Sequence, residues 1–311
     1  MADDRSDGSS SWRVVTNPSV SALTIPSEAL DAAPIPIDAD IDVPRARRAA
    51  GRCALCGEVG PLTREHLPPQ AAGNTGAGVE FRLENWLGRD ADGEWTRGKP
   101  FQAGFWQPTL CRECNGRTGD LYAKEYRAWA ASTGNLLGGL PDINDLQQEA
   151  HLRALEFKLS ACLPGAFVRQ VLSMLVSAAS PAPVTDGMPA LRSIVLDGLA
   201  LPIEAPLRIG MALFMGPKAL VYGPLLVVET AAPNRWKWVA GVAFPPFSFE
   251  LEIATSVEPP ATVFSDISQL TSQSPTESTD VRLDLAITFG NSGVPDWRSQ
   301  AMIDSGIDLD F

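Results

Sequence analysis

The sequence predicts an α+β chain in which a small cysteine-rich module is followed by a helical segment and by an antiparallel, β-rich C-terminal domain. Two Cys-x-x-Cys pairs, which begin at Cys53 and Cys111, mark the small module. Apolar residues at helical spacing fill residues 165–180, and short β-rich runs between glycine and proline turns fill residues 192–290. The change from helical to strand spacing along one chain indicates a mixed fold.

The first 44 residues are acidic and contain only short apolar islands. They hold two Lys and Arg residues against eight Asp and Glu residues, together with many Ser, Ala and Pro residues. Such a segment buries too little surface to offset the entropy lost on ordering, so residues 1–44 are predicted to be disordered. A docked stretch around Trp12–Ile25 is the alternative.

The start of the sequence has no feature of an exported or membrane-inserted protein. Residues 1–8 lack both the basic region and the apolar run of a signal peptide. No apolar run in the chain reaches the length of about 18 residues that a membrane span needs. We therefore expect a cytoplasmic protein that has no membrane partner.

The net charge of −12 argues against a nucleic-acid partner, because Lys and Arg supply most of a protein's affinity for phosphates. The charge is unevenly distributed, however. Residues 45–130 hold thirteen Lys and Arg against ten Asp and Glu, whereas residues 131–311 hold ten against nineteen. The one segment that is not acidic therefore contains the cysteine pairs, which weakly favours a nucleic-acid partner for that segment.

Four of the five cysteines lie in the two Cys-x-x-Cys pairs, and the fifth, Cys162, stands alone in an apolar stretch. In an intracellular chain such pairs indicate metal binding rather than disulfides. The spacing lets a tight turn point both sulfurs at one ion, and Gly57 helps the first turn to close. Residues 57–110 exceed the spacing of about 15–20 residues in a zinc ribbon, so an insert separates the pairs. We expect one structural Zn²⁺ bound by Cys53, Cys56, Cys111 and Cys114.

The insert contains one of the two histidines of the chain, within the sequence Leu62–Pro69. A neutral imidazole at His66 can take a proton from water near pH 7, and the adjacent Glu65 offers a hard oxygen ligand for a divalent cation. Asn115, directly after the second cysteine pair, offers an amide oxygen. A zinc site that closes the insert would bring these three side chains together.

The order of these motifs resembles the HNH endonuclease family in its four-cysteine form: Cys-x-x-Cys, then Glu-His followed by proline, then Leu-Cys-x-x-Cys-Asn. The resemblance covers residues 52–127. It implies a zinc-stapled ββα-metal fold, similar to a treble clef, in which a β-hairpin and a helix surround one catalytic divalent cation. We predict an HNH-like nuclease domain over residues 45–135.

The resemblance also implies a role for each side chain. His66 would be the general base that activates water for attack on a phosphodiester of DNA, and Glu65 and Asn115 would bind Mg²⁺ or another divalent cation. The four cysteines would bind structural Zn²⁺ without taking part in the chemistry. The family's middle Asn, which orients the catalytic loop, is missing from its usual place, where Gln107 is the only amide.

Each of these side chains also has an ordinary structural explanation. His66 could bond to backbone in a loop, Glu65 could be a solvated carboxylate, and Asn115 could cap a helix that begins beside it. Three arginines of the module are candidates for phosphate contacts: Arg64, Arg112 and Arg117. Three aromatic residues at helical spacing favour core packing over stacking on bases: Tyr122, Tyr126 and Trp129.

Residues 142–311 are predicted to form an α+β domain that ends in an acidic tail. Helices are expected at about 143–160 and 165–180, with Cys162 buried beside them. The β-rich runs are Ile194–Leu196, Leu207–Phe214, Ala219–Val228, Trp236–Phe244, Phe247–Ala254 and Val281–Ile287. No phosphate-binding glycine loop and no Ser/His/Asp arrangement occurs here, so we expect a protein or a small ligand as partner.

Three functions fit these patterns. The first is an endonuclease with His66 as its base. The second is a catalytically inactive zinc-binding module that holds nucleic acid or protein, which the missing middle Asn and the overall acidity favour. The third is a structural zinc knuckle in a protein whose work is done by residues 150–311. Convergence of the Glu65, His66 and Asn115 side chains on one point would favour the first.

Overall fold

The computed structural model describes most of the cysteine-rich module and the core of the C-terminal part. The described residues are 12–15, 50–76, 78–80, 99–101, 103–137, 154–179, 189–201, 207–214, 220–228, 236–254 and 264–288. Their helices are α1 (Arg112–Leu137), α2 (Pro164–Ala178) and α3 (Pro189–Asp197), with 3-10 turns at Gln70–Ala72 and Ser268–Ser272. Their strands are β1 (Trp12–Val15), β2 (Ala50–Arg52), β3 (Val59–His66), β4 (Gly78–Glu80), β5 (Lys99–Phe101), β6 (Trp106–Cys111), β7 (Ala154–Cys162), β8 (Leu207–Phe214), β9 (Leu220–Val228), β10 (Trp236–Phe244), β11 (Phe247–Ala254), β12 (Ser265–Asp266) and β13 (Thr279–Thr288).

A small antiparallel sheet with the strand order β2-β3-β6 forms the cysteine-rich module. Its longest ladder runs from Leu62 opposite Cys111 to His66 opposite Trp106. Helix α1 begins at the residue after β6, so two paired strands lead directly into a long helix. The described part of the insert adds the short antiparallel pair β4-β5.

The second sheet has eight strands, in the order β1-β7-β13-β8-β11-β10-β9, with β12 paired to β8. Its neighbours are antiparallel except for β13 and β8, which run parallel. The strand predictions for β8, β10 and β11 are confirmed with the same bounds, and those for β9 and β13 are confirmed within two residues. The described residues therefore have the mixed α+β architecture that the sequence predicts.

An aromatic cluster joins α1 and α2 to the large sheet. The ring of Trp129 stacks on that of Phe167 with 3.8 Å between centroids, and Tyr126 packs against Phe167, Phe247 and Phe249. All five side chains are at most 1 % exposed, and burial of each stabilises the fold by about 1.5–3 kcal/mol. The prediction that the α1 aromatics pack in the core is confirmed, because rings buried in this way cannot stack on bases.

The helix predicted at about 143–160 is wrong over its described residues. Residues 154–160 belong to strand β7, which pairs with β1 and β13, and residues 143–153 lie outside the described residues. Leu155, Phe157 and Leu159 are buried at every second position of β7, the spacing of apolar residues in a strand. Between them, Lys158 is partly exposed, and the carboxylate of Glu156 is buried beside Lys158 and Arg282.

The strand predicted at Ile194–Leu196 is also wrong, because these residues lie in helix α3. Leu191, Ile194 and Val195 are all buried, at the i, i+3, i+4 spacing of a helix face. The helix begins at Pro189, whose fixed φ suits the first helical position. A run of three apolar residues was too short to distinguish the 3.6-residue period of a helix from the two-residue period of a strand. The helix predicted at 165–180 is confirmed as α2, which ends at Ala178.

Strand β1 corrects the prediction that all of residues 1–44 are disordered. Trp12–Val15 pairs antiparallel with β7, so the alternative of a docked stretch holds for these four residues. The rest of residues 1–44 and the acidic tail lie outside the described residues. Among the helices in the described part of the chain, none is long and apolar enough to cross a membrane.

Candidate metal centre

The first cysteine pair lies in a tight turn between β2 and β3. The backbone N–H of Cys53 donates to the carbonyl of Glu58, and the N–H of Gly57 donates to the carbonyl of Cys53, both at 2.9 Å. Gly57 has a φ of 75°, in the left-handed region that glycine adopts without strain. The turn therefore places both sulfurs of the pair on one side of the backbone, as the sequence predicts.

The second pair spans the junction of β6 and α1. Cys111 is the last residue of β6, and Cys114 lies in the first turn of α1. The four sulfur atoms all lie within 4.8 Å of one another, and those of Cys56 and Cys111 are 3.8 Å apart. A disulfide would need about 2.05 Å. A tetrahedron with Zn–S distances of about 2.3 Å has edges of about 3.8 Å, so this cluster fits a four-thiolate zinc site.

Hydrogen bonds from a backbone N–H and a thiol favour the thiolate form of Cys53. The N–H of Cys111 donates to the sulfur of Cys53 at 3.3 Å. A hydrogen bond from the Cys114 thiol holds the pKa of Cys53 at about 4, and the same bond raises the pKa of Cys114. The fifth cysteine, Cys162, is buried elsewhere and donates to the carbonyl of Thr279. The four sulfur atoms that could bind a metal ion are therefore those of the four cysteines that the sequence predicts.

Glu65, His66 and Asn115 line one cavity of about 130 Å³ beside the cysteine cluster. Glu65 and His66 are the last two residues of β3, and Asn115 lies in the first turn of α1. The pairing of β3 with β6 and the direct passage from β6 into α1 bring the three side chains together. A shared cavity is one condition of the catalytic hypothesis.

The orientation of the Asn115 amide is determined by its partners. Its nitrogen donates to the hydroxyl of Thr63 and to the backbone carbonyl of Arg64, both at 2.9 Å. A carbonyl can only accept, and the Thr63 hydroxyl already donates to Leu110, so both positions require the NH₂ group. The amide oxygen of Asn115 is thus left for a ligand. Because α1 begins at Arg112, Asn115 lies inside the helix and is not its N-cap.

Glu65 is a buried carboxyl group with no partner among the described residues. It is 4 % exposed, and no hydrogen bond or ion pair within the described structure reaches it. Burial raises its pKa from 4.5 to about 8, because the charged form loses its hydration. The explanation that Glu65 is a solvated carboxylate is therefore wrong. A divalent cation in the cavity would supply the missing compensation for a charged Glu65.

His66 is half-buried at the end of β3, opposite Trp106 in the ladder. Burial lowers its pKa, the backbone carbonyl of Ala103 partly offsets that effect, and the charge of Arg64 lowers the pKa further. The net shift keeps the imidazole neutral near pH 7. A neutral ring that reaches the cavity can accept a proton there.

Asn74 is a structural residue of this site that sequence reasoning missed. Its amide nitrogen donates to the carbonyls of Pro68 and Phe105 at 2.7 and 2.9 Å, and its oxygen accepts from the N–H of Phe105 at 2.8 Å. It therefore clamps the segment after His66 to the segment before β6. A Cβ on Gly104 would lie 2.0 Å from the carbonyl oxygen of Asn74, so the close approach requires glycine.

Gln107, the only amide near the place of the missing middle Asn and a possible orienting residue, lies within β6 directly opposite Glu65 and does not line the cavity. The side-chain hydrogen bonds that join the two loop segments come from Asn74. The only local signal for Asn74 was its place between Gly73 and Thr75, which is typical of a turn. Its bonds to Phe105 span 31 residues, and no pattern within a short window predicts them.

The three arginines with predicted phosphate contacts have different positions. Arg64 lines the cavity and stacks over the ring of Trp106, with 4.5 Å from its guanidinium carbon to the ring centroid. Arg112 is exposed at the start of α1. Arg117 donates to the backbone carbonyl of Leu196 at the end of α3, which gives it a structural contact. Arg64 is therefore the arginine that the fold places beside Glu65 and His66.

One wall of the cavity comes from outside the module. Gln170 of α2 lines the cavity together with Glu65, His66 and Asn115. Sequence reasoning assigned α2 only a core role, because its apolar face dominates the pattern.

Comparison of the chain with protein-family models, with curated proteins and with solved structures finds no match in any of the three.

Proposed function

We propose that the chain is an HNH-like endonuclease that hydrolyses phosphodiester bonds in DNA with a divalent metal. The observation that carries the proposal is the shared cavity of Glu65, His66 and Asn115 beside a four-cysteine cluster. The arrangement of two paired strands followed by a helix also agrees with the ββα-metal fold that the sequence motifs imply. Structural Zn²⁺ at the four cysteines would hold β3, β6 and the start of α1 in register.

Each side chain of the cavity has a defined task in this reaction. The imidazole of His66 accepts the proton of the attacking water, whose oxygen forms a bond to phosphorus while the bond to the leaving ester oxygen breaks. Glu65 and the amide oxygen of Asn115 would hold a cation such as Mg²⁺, and that group, when bound, would supply positive charge to the phosphate and the leaving oxygen. Arg64, kept extended by Trp106, contacts a phosphate oxygen at the edge of the cavity.

The test is a cleavage assay with supercoiled plasmid DNA, Mg²⁺ or Mn²⁺, and the full zinc-loaded chain. The wild type is expected to nick or cut, and His66→Ala to lower the rate by about 100-fold or more, since a general base contributes on that order. His151→Ala is the matched control, because His151 is the other histidine of the chain. Equal cleavage by the wild type and His66→Ala would show that the activity is a contaminant and overturn the proposal.

A binding module that holds nucleic acid without cutting is the second candidate. The position of Gln107 outside the cavity favours it. It predicts intact DNA under every divalent cation, together with binding that weakens steeply as salt rises. A gel-shift titration between 50 and 200 mM salt on the same preparation separates the two functions, because only the nuclease converts the plasmid.

A further inference from the structure

Gln170 occupies an unusual place in an otherwise closed part of the structure. All fifteen residues of α2 are buried, and Gln170 itself is 1 % exposed. Its side chain nevertheless reaches the cavity that Glu65, His66 and Asn115 line. A long polar side chain in a buried helix thus lines the same cavity as the motif residues, although it belongs to neither β3 nor α1.

The amide of Gln170 has no hydrogen-bond partner within the described structure, and its oxygen is buried. Such a group costs about 1–3 kcal/mol, and native proteins rarely tolerate one without a bound water, ion or ligand. Its neighbour Arg169 shows the usual solution, since its guanidinium donates only to backbone carbonyls, among them those of Ile194 and Gly198. The unpartnered amide of Gln170 therefore points to a ligand in the cavity.

Rigid contacts hold α2 against the module. The carboxylate of Glu125 on α1 accepts hydrogen bonds from the indole of Trp129 at 2.9 Å and from the N–H of Leu163, just before α2, at 2.8 Å. The stacked rings of Trp129 and Phe167 add a second contact between the helices. These contacts hold α2, and with it Gln170, against α1.

The cavity has the size and the donors for a small hydrated cation. Its volume of about 130 Å³ corresponds to about four water molecules. The carboxylate of Glu65 and the amide oxygens of Asn115 and Gln170 are the hard oxygen donors that Mg²⁺ and Mn²⁺ prefer. Gly119 and Ala123, on the wall formed by α1, keep this space open because they carry little or no side chain.

We propose that Gln170 supplies a third protein oxygen to the cation site of Glu65 and Asn115, directly or through a water molecule. The site is then complete only when α2 is packed on α1, which makes the C-terminal part a component of the active centre. This inference rests on the proposed function, because it assigns a residue to the cation that the proposed nuclease uses.

The experiment is a Mn²⁺ titration of the full zinc-loaded chain without DNA, with free Mn²⁺ measured by electron paramagnetic resonance. Gln170→Met keeps the length of the side chain and removes the oxygen, and it is expected to weaken Mn²⁺ binding by about 10-fold or more. Gln170→Glu adds a charged donor and is expected to tighten binding. Gln269→Met, at an exposed position of the second 3-10 turn, is the matched control and should bind as the wild type does.

The outcomes separate this inference from the function on which it rests. Unchanged Mn²⁺ affinity in Gln170→Met overturns the role of Gln170 and leaves the nuclease proposal standing. A wild type that binds no Mn²⁺, or binds it equally well after Glu65→Gln, overturns both. If circular dichroism shows that Gln170→Met does not fold, Gln170→Glu decides, and binding no tighter than that of the wild type contradicts the inference.

Discussion

The side-chain nitrogen of Asn115 lies 2.9 Å from the backbone carbonyl oxygen of Arg64. This bond joins the first turn of α1 to the strand that carries Glu65 and His66, and it acts together with the bond to Thr63. The same side chain thus joins the two segments of the site through its nitrogen and lines the cavity. One amide links the architecture of the module to its proposed chemistry.

Asn115→Asp should destabilise the protein although it keeps the size of the side chain. A carboxylate has no N–H group, so the hydrogen bonds to the Thr63 hydroxyl and to the Arg64 carbonyl are both lost. A carboxylate oxygen then lies against the carbonyl oxygen of Arg64, and both atoms are acceptors. We expect the free energy of unfolding to fall by about 1–3 kcal/mol, measured by urea denaturation. Asn135→Asp, exposed near the end of α1, is the control. Equal stability of the two variants would contradict the anchoring role of Asn115.

Gly119 should tolerate a methyl group but not a large side chain. A Cβ at this position meets no atom within 4 Å, so Gly119→Ala is expected to raise stability by about 0.5–1 kcal/mol through helix propensity. Gly119→Leu should fill the cavity and abolish both Mn²⁺ binding and cleavage. Gly116→Leu is the matched control, one turn earlier on α1 and away from the cavity. Cleavage by Gly119→Leu at the wild-type rate would place the chemistry elsewhere.

Glu65→Gln should stabilise the zinc-loaded protein at pH 8 when no other divalent cation is added. Burial raises the pKa of Glu65 from 4.5 to about 8, so its contribution to stability is fully present below pH 4.5 and is lost as the pH rises to 8. The neutral amide removes this loss. Thermal unfolding at several pH values measures the difference, and Glu113→Gln, exposed on α1, is the control. A wild type that remains the more stable at pH 8 would contradict the burial of an uncompensated carboxyl.

Arg169→Met should be strongly destabilising. The guanidinium of Arg169 donates to six backbone carbonyls, and the side chain is fully buried: the acceptors are Gly165, Ile194, Gly198, Leu199, Thr271 and Gln273. Its removal leaves several of them without a donor, so we expect a loss of about 3 kcal/mol or more in urea denaturation. Arg192→Met, exposed on α3, should change stability by less than about 0.5 kcal/mol.

The chain should bind one Zn²⁺ at the four-cysteine cluster. Inductively coupled plasma mass spectrometry is expected to find one zinc per chain, lost in Cys53→Ser and retained in Cys162→Ala, since Cys162 lies outside the cluster. Removal of zinc by a chelator should lower the melting temperature, because the binding free energy of a structural zinc is folding free energy. A full zinc content in Cys53→Ser would contradict the four-ligand site.

Local patterns were sufficient for part of this protein. The spacing of Cys53, Cys56, Cys111 and Cys114 predicted the cluster, because each pair is closed by a turn of a few residues. The strands β8, β10 and β11 were predicted with their observed bounds, because glycine and proline residues flank their apolar runs in the sequence. The shared cavity of Glu65, His66 and Asn115 agrees with the expectation that the two cysteine pairs close the insert.

Tertiary structure decided the rest. β7 and α3 contradicted the predictions, because a short apolar run fits both the spacing of a helix and the alternation of a strand. Packing against neighbouring elements determines which of the two forms. Asn74 and Gln170 looked like an ordinary turn residue and an ordinary helix residue. Their importance comes from contacts across 31 residues and from the packing of α2 on α1. A sequence specifies turns and faces over a few residues, whereas a cavity forms only where distant segments meet.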